Sequence, residues 1–270
     1  MKLERKKIEK VVNELLSEGA IHEEPPAYAL YRLRLDDGIV TIYESGSVVF
    51  GGKDGEKLKK RFLELLFKEI DLSPRIGCDE AGKGEFVGPL VVSCIYANED
   101  CIKKLLSLDV KDSKKLPNKK LKEMAEEIKK HCHGYVKVLM PENYNRLYKK
   151  YGNVNRMLED IYKEVIGKLL EKYKVKRVIV DKFSERIENI LKENFPNVEF
   201  KVVPKAESDP VVAAASIVAK AERLRKMEDL SKLLGFPLPE GNKENRELLS
   251  KIPPELRYKF VKEHFKVNGE

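Results

Sequence analysis

The sequence predicts an α/β protein, a mixed sheet flanked by helices, preceded by a small α+β module. Three observations carry this. Beyond Pro74, short apolar runs alternate with helical periodicities, as strands and helices around one sheet do. Before it, three strand-like runs separated by tight turns stand between amphipathic helical stretches. Between the two, Asp71-Leu72-Ser73-Pro74 breaks the periodicity, because proline disfavours helix at the residue before it.

Residues 1–19 place Leu3, Ile8, Val11, Val12, Leu15 and Leu16 on one side of a helix. Pro25-Pro26 closes the connection to strands at Tyr28 to Leu35, Ile39 to Glu44 and Ser47 to Phe50, with Asp36-Asp37-Gly38 and Ser45-Gly46 as the turns. A helix from about Glu56 to Ile70 completes the module. The expected division is therefore 1–70 and 74–270. In the second part, Arg75 to Asp79 and Val87 to Ala97 read as strands joined by a glycine-rich turn. A basic helix (Asn118 to Lys130), a strand (Tyr135 to Met140) and a helix over 154–173 follow. Val175 to Asp181 is an apolar strand ending in a carboxylate. A helix over 184–194 and the strand Val198 to Val203 precede a mostly helical remainder from Val211.

Of the 270 residues, 36% are charged and the net charge is +8, an excess that favours phosphate-bearing partners. The Lys- and Glu-rich surface without Trp also fits a heat-adapted protein. No apolar run approaches the ~20 residues that span a bilayer, so no membrane partner is expected. The charged start Met1-Lys2-Leu3-Glu4-Arg5 does not resemble a signal peptide. Cys78, Cys94, Cys101 and Cys132 show no CxxC spacing, which points to reduced thiols in the cytoplasm. His131-Cys132-His133 lacks a second ligand pair at zinc spacing and reads as incidental.

The chemistry concentrates in Gly77-Cys78-Asp79-Glu80-Ala81-Gly82-Lys83-Gly84-Glu85. A strand sends neighbouring side chains to opposite faces, so for Asp79 and Glu80 to serve one site the strand must end or bend there. Gly77 through Lys83 also has the GxxxxGK spacing of a phosphate-binding loop. That reading fails: Gly84 replaces the magnesium-binding hydroxyl, two acids would repel phosphates, and a strand follows instead of a helix. Asp181 at a strand end sits at the ligand-binding rim of an α/β sheet, or caps the next helix. Glu207-Ser208-Asp209 precedes a small-residue helix whose Ser216, Lys220 and Arg223 share one polar edge. That run equally suits a capped, close-packed helix. Acids gathered at one rim would hold two hard cations, Mg2+ or Mn2+, for in-line phosphodiester displacement.

These segments together resemble the type 2 ribonucleases H. Asp79 to Gly84 resembles the family signature, Lys111-Asp112-Ser113-Lys114-Lys115-Leu116 its second motif, and Ile179-Val180-Asp181 and Ala213 to Lys220 its third and fourth. The match runs from about Arg75 to about Phe265. Lys83, Glu207, Lys262-Glu263-His264-Phe265 and the N-terminal module resemble the HIII branch, whose module is TATA-binding-protein-like.

The resemblance implies a ribonuclease H-like catalytic domain that cuts the RNA strand of RNA–DNA hybrids 5′ to a ribonucleotide, leaving 3′-hydroxyl and 5′-phosphate ends. It implies Asp79, Glu80, Asp181 and Glu207 as metal-holding carboxylates. Gly82, Lys83 and Gly84 would read the 2′-hydroxyl, and Ser113, Lys114, Ser216 and Lys220 would contact substrate. Arg32 and Arg34, on one strand face, would add phosphate contacts, and the chain would act as a monomer. One departure is that the Glu207-to-Ala213 connection is a residue short, so Asp209 competes for the fourth position; its place before Pro210 suits a helix cap. The alternatives are a ribonuclease HII-like enzyme cutting single ribonucleotides in DNA, and a non-catalytic nucleic-acid binder.

Overall fold

The computed structural model describes residues 5–108, 110, 116–241 and 245–265. The N-terminal part holds α1 (Arg5–Ser17), β1 (Ile21–His22), β2 (Ala29–Leu35), β3 (Gly38–Tyr43), β4 (Val48–Gly52) and α2 (Gly55–Lys68). Its four strands form an antiparallel sheet in the order β1-β2-β3-β4. Ile8, Val11, Val12 and Leu15 of α1 and Leu58, Phe62, Leu65 and Leu66 of α2 bury against Leu33, Val40 and Ile42. The helices therefore cover one face of the sheet, as period-2 and period-3.6 patterning require. Strand β1, two residues long and exposed, carries too little pattern to be read from sequence.

The second sheet has the order β7-β6-β5-β8-β9, with β5 (Arg75–Ala81), β6 (Leu90–Ala97), β7 (His133–Leu139), β8 (Arg177–Asp181) and β9 (Glu199–Val203). The pairs among β7, β6 and β5 are antiparallel, and those of β5 with β8 and β8 with β9 are parallel. One face packs on α6 (Val154–Leu170) and α7 (Ile187–Asn194) through Cys78, Val92, Tyr162, Val165 and Leu191. The other packs on α4 (Asn118–His131) and α8 (Pro210–Leu234). Gly77 lets α8 lie on β5, because a Cβ there would stand 2.5 Å from the Val212 backbone nitrogen.

Two helices inside expected connections are α3 (Glu99–Ser107), capped by Asn98, and α5 (Pro141–Tyr151), begun by proline and ended at Gly152 with φ 63°. A short α9 (Asn245–Lys251) follows α8. The expectation of reduced thiols is overturned: Cys78 is bonded to Cys94 and Cys101 to Cys132. The first pair are directly opposed partners on β5 and β6, 4.2 Å between Cα atoms. The second joins α3 to the end of α4. Strand register and helix packing create these juxtapositions, so no local spacing announces them.

Candidate active site

The site forms where β5 runs past the end of β8. Their pairing stops at Cys78 opposite Val180, so Asp79 and Glu80 lie beyond the last pair on that side. On the other side β5 stays paired with β6, with Asp79 opposite Ser93 and Glu80 opposite Val92. The strand continues one residue past the two acids, to Ala81, and alternation sends them to its opposite faces. Asp79 faces α8, where Ser216 hydrogen-bonds its carboxylate. Glu80 faces α6, where the Tyr162 hydroxyl donates to its Oε2. The β5 edge toward β8 is unpaired here, and Asp181 acts on both charges.

Electrostatics describe the result. Burial pushes Asp79 up to about 6, with Asp181 adding to it and Ser216 and Lys220 opposing. Burial likewise pushes Glu80 up to about 7, reinforced by Asp79 and Asp181 and opposed by the Tyr162 bond and by Lys83. Desolvated, mutually repelling carboxylates are what a divalent cation neutralises, and their oxygens are hard donors suited to Mg2+ or Mn2+. Among the described residues no cluster of three or more His, Cys, Asp or Glu groups is preassembled as a metal cage. Ions that keep several waters and recruit phosphate oxygens need no such cage.

Asp181 is joined through a backbone bond to the turn that carries Glu207. Asp181 Oδ1 accepts the Ala206 N–H at 2.9 Å, which ties the end of β8 to the short 3₁₀ turn Ala206–Ser208 carrying Glu207. Asp209 is engaged elsewhere: Oδ1 caps α8 by accepting the Val211 N–H at 2.8 Å, and Oδ2 pairs with the buried Arg75 at 2.9 Å.

The glycine turn adjoins these acids. Gly82 has φ 87°, and a Cβ on it would lie 2.3 Å from the Pro89 carbonyl oxygen, so the fold itself requires glycine. A Cβ on Gly84 would meet nothing within 4 Å, so packing does not explain that glycine. Lys83 Nζ donates to the Phe183 carbonyl at 3.3 Å and lies 5.3 Å from the centre of its ring.

Arg32 and Arg34 belong to the N-terminal sheet, where Nε of each pairs with Glu23. Ser113 and Lys114 lie outside the described residues. Tyr162 escaped the sequence reading because a helix-face tyrosine among apolar neighbours reads as core.

Comparison with known proteins places the chain in a family. The chain matches the Ribonuclease HII family model over residues 76–268, and a Domain of unknown function (DUF3378) over 1–68. A ribonuclease HIII of Protochlamydia amoebophila is 33% identical, covering 98% of this chain and 93% of its own. One from Aquifex aeolicus is 34% identical over 99% of both chains. The crystal structure of Bst-RNase HIII in complex with Mn2+ superposes with a TM-score of 0.68 at 27% identity, covering 98% of this chain and 94% of that one. The full-length similarity and the shared fold assign this chain to the type 2 ribonucleases H, and within them to the HIII branch.

Proposed function

We infer that the chain is an endoribonuclease hydrolysing the RNA strand of RNA–DNA hybrids, with Asp79, Glu80, Asp181 and Glu207 holding its divalent ions. The observation that carries this reading is the group of Asp79, Glu80 and Asp181 around the open edge of β5, two of them desolvated, beside a glycine turn with clearance at Gly84. Two ions, Mg2+ or Mn2+, would supply charge neutralisation and an activated water; the Mn2+ complex of a relative supports that choice. The chain's own residues orient the ligands. Ser216 holds Asp79, Tyr162 holds Glu80, and the Ala206 N–H holds Asp181. The Gly82–Gly84 backbone reads the 2′-hydroxyl, and Lys83 meets a phosphate after leaving the Phe183 carbonyl. Cleavage 5′ to a ribonucleotide leaves 3′-hydroxyl and 5′-phosphate ends.

Residues 1–70 grip the hybrid and 74–270 cut it. Separate sheets with separate cores, and family matches that meet near residue 70, support the division. We place the protein in the cytoplasm of a heat-adapted cell, where disulfides persist in intracellular proteins, acting as a monomer. Labelled RNA–DNA hybrid, double-stranded DNA and double-stranded RNA, each with Mg2+, Mn2+ or chelator, test the reading. Cleavage of hybrid alone, abolished by chelator, is expected; equal cutting of double-stranded DNA refutes it.

A further inference from the structure

Lys262 is the one lysine among the described residues with no exposed surface. A lysine persists in an interior only where its ammonium is hydrogen-bonded. Here Nζ donates to the carbonyl oxygens of Gly82 at 2.8 Å and Glu85 at 2.6 Å, the two ends of one turn. That turn closes on itself through the Glu85 N–H and the Gly82 carbonyl at 3.3 Å. The backbone of the same segment is strapped along the chain that follows the turn. The Lys262 N–H donates to the Phe86 carbonyl at 2.8 Å, Val261 bridges Val87, and the Gly88 N–H donates to the Phe260 carbonyl at 2.9 Å. From α5, Asn145 holds the strap on both sides, donating to the Val261 carbonyl at 2.9 Å and accepting the Glu263 N–H at 3.0 Å.

We propose that Lys262 is a positioning residue that sets the orientation of the Gly82–Glu85 turn and thereby the enzyme's preference for hybrid over DNA duplex. This rests on the reading in which the turn's backbone contacts the ribose. In a trans peptide the carbonyl oxygen and the following N–H point in opposite directions. Drawing the Gly82 oxygen toward Lys262 therefore turns the Lys83 N–H to the other side, away from the strap. Packing alone does not account for the residue. Burial presses the Lys262 ammonium down to about 7, and Arg223 presses in the same direction, so the charge is held inside by its two carbonyl bonds rather than by packing. Arg223 braces the far side of the loop, donating to the Val87 carbonyl at 3.0 Å and pairing with Glu85 at 2.7 Å.

The test measures binding of a fluorescent RNA–DNA hybrid and of DNA duplex of the same sequence, in chelator, by full-length wild type, K262M, K262Q, F260L and G84A. K262M keeps the volume and loses the donors. K262Q keeps two N–H donors, and F260L weakens the strap's packing without touching the ammonium. The ratio of the two Kd values should fall about tenfold in K262M, the scale of one lost hydrogen bond, and less in K262Q. F260L should keep the wild-type ratio at a matched distance below its melting temperature. If K262M does not fold, K262Q is read against F260L by the same criterion. A ratio unchanged in both Lys262 variants, or one that follows melting temperature alone, overturns the proposal while G84A still loses discrimination. If G84A binds and discriminates as wild type, the turn is not the ribose reader, and the substrate reading fails together with the proposal.

Discussion

Asp181 and the pair Glu207 and Asp209 show how single residues divide the work at the rim. In Asp181→Asn an amide oxygen still accepts the Ala206 N–H, so the fold survives while a ligand charge is lost. Hybrid cleavage should fall by about a hundredfold or more with an unchanged melting temperature, and activity within about tenfold of wild type would remove Asp181 from the site. Glu207→Gln should raise the metal concentration needed for half-maximal activity strongly at little cost in stability. Asp209→Asn should do the reverse. Asn caps a helix about as well as Asp, which alone suggests a negligible cost. The structure changes that expectation, because Asp209 also neutralises Arg75, which is 3% exposed and, among the described residues, otherwise donates to the Asp71 and Ser73 carbonyls. With Asp209 itself partly exposed, the loss should be about 1–3 kcal/mol. Metal titrations and melting curves of both variants separate the roles, and an inactive Asp209→Asn with a normal Glu207→Gln would move the fourth ligand to 209.

Whole elements place these residues, and two of them make testable demands. Helix α8 can lie across β5 only because position 77 lacks a side chain. Gly77→Ala would set a methyl against α8 backbone that cannot rotate away, displacing both Asp79 and Ser216. A stability loss of about 1–3 kcal/mol is expected in denaturant titration, together with weaker metal binding. In the N-terminal sheet, Arg32 and Arg34 lie on the face that α1 and α2 leave uncovered, as strand alternation predicts. Both converge on Glu23, whose carboxyl is held below its ordinary range by those two hydrogen bonds. If this face binds phosphate as proposed, an acid in its middle lowers the affinity. Glu23→Gln should therefore tighten hybrid binding about two- to fivefold. Replacing both arginines by alanine should weaken binding and flatten the slope of log affinity against log salt by about 2. An unchanged slope would give the N-terminal module another task.

The molecule as a whole is held by long-range links that local sequence does not announce. Cys101 and Cys132 close a loop across a separation of 31 residues, and both are buried. In the chain-entropy view that link is worth about 3–4 kcal/mol, so unfolding in denaturant with a thiol reductant, which also opens the Cys78–Cys94 link, should show at least that loss. Coincident curves with and without reductant would mean that the cysteines are thiols in solution. The sequence by itself determined the two-sheet α/β plan, the place of Asp79, Glu80 and Asp181 on strands, and the glycine turn. Each rests on local chemistry: hydrophobic period, proline and glycine punctuation, and adjacency along the chain. Helices α3 and α5 went unread because their short, charged patterns are fixed by capping and by packing on distant surfaces. The tertiary structure alone decided which strand edge is open beside Asp79, and that Tyr162 meets Glu80 and Arg75 claims Asp209. It also brought Lys262 from the chain's far end to the back of the glycine turn. The reason is physical: these contacts join residues from 82 to 180 positions apart, and only strand order and helix packing bring such residues within hydrogen-bonding reach.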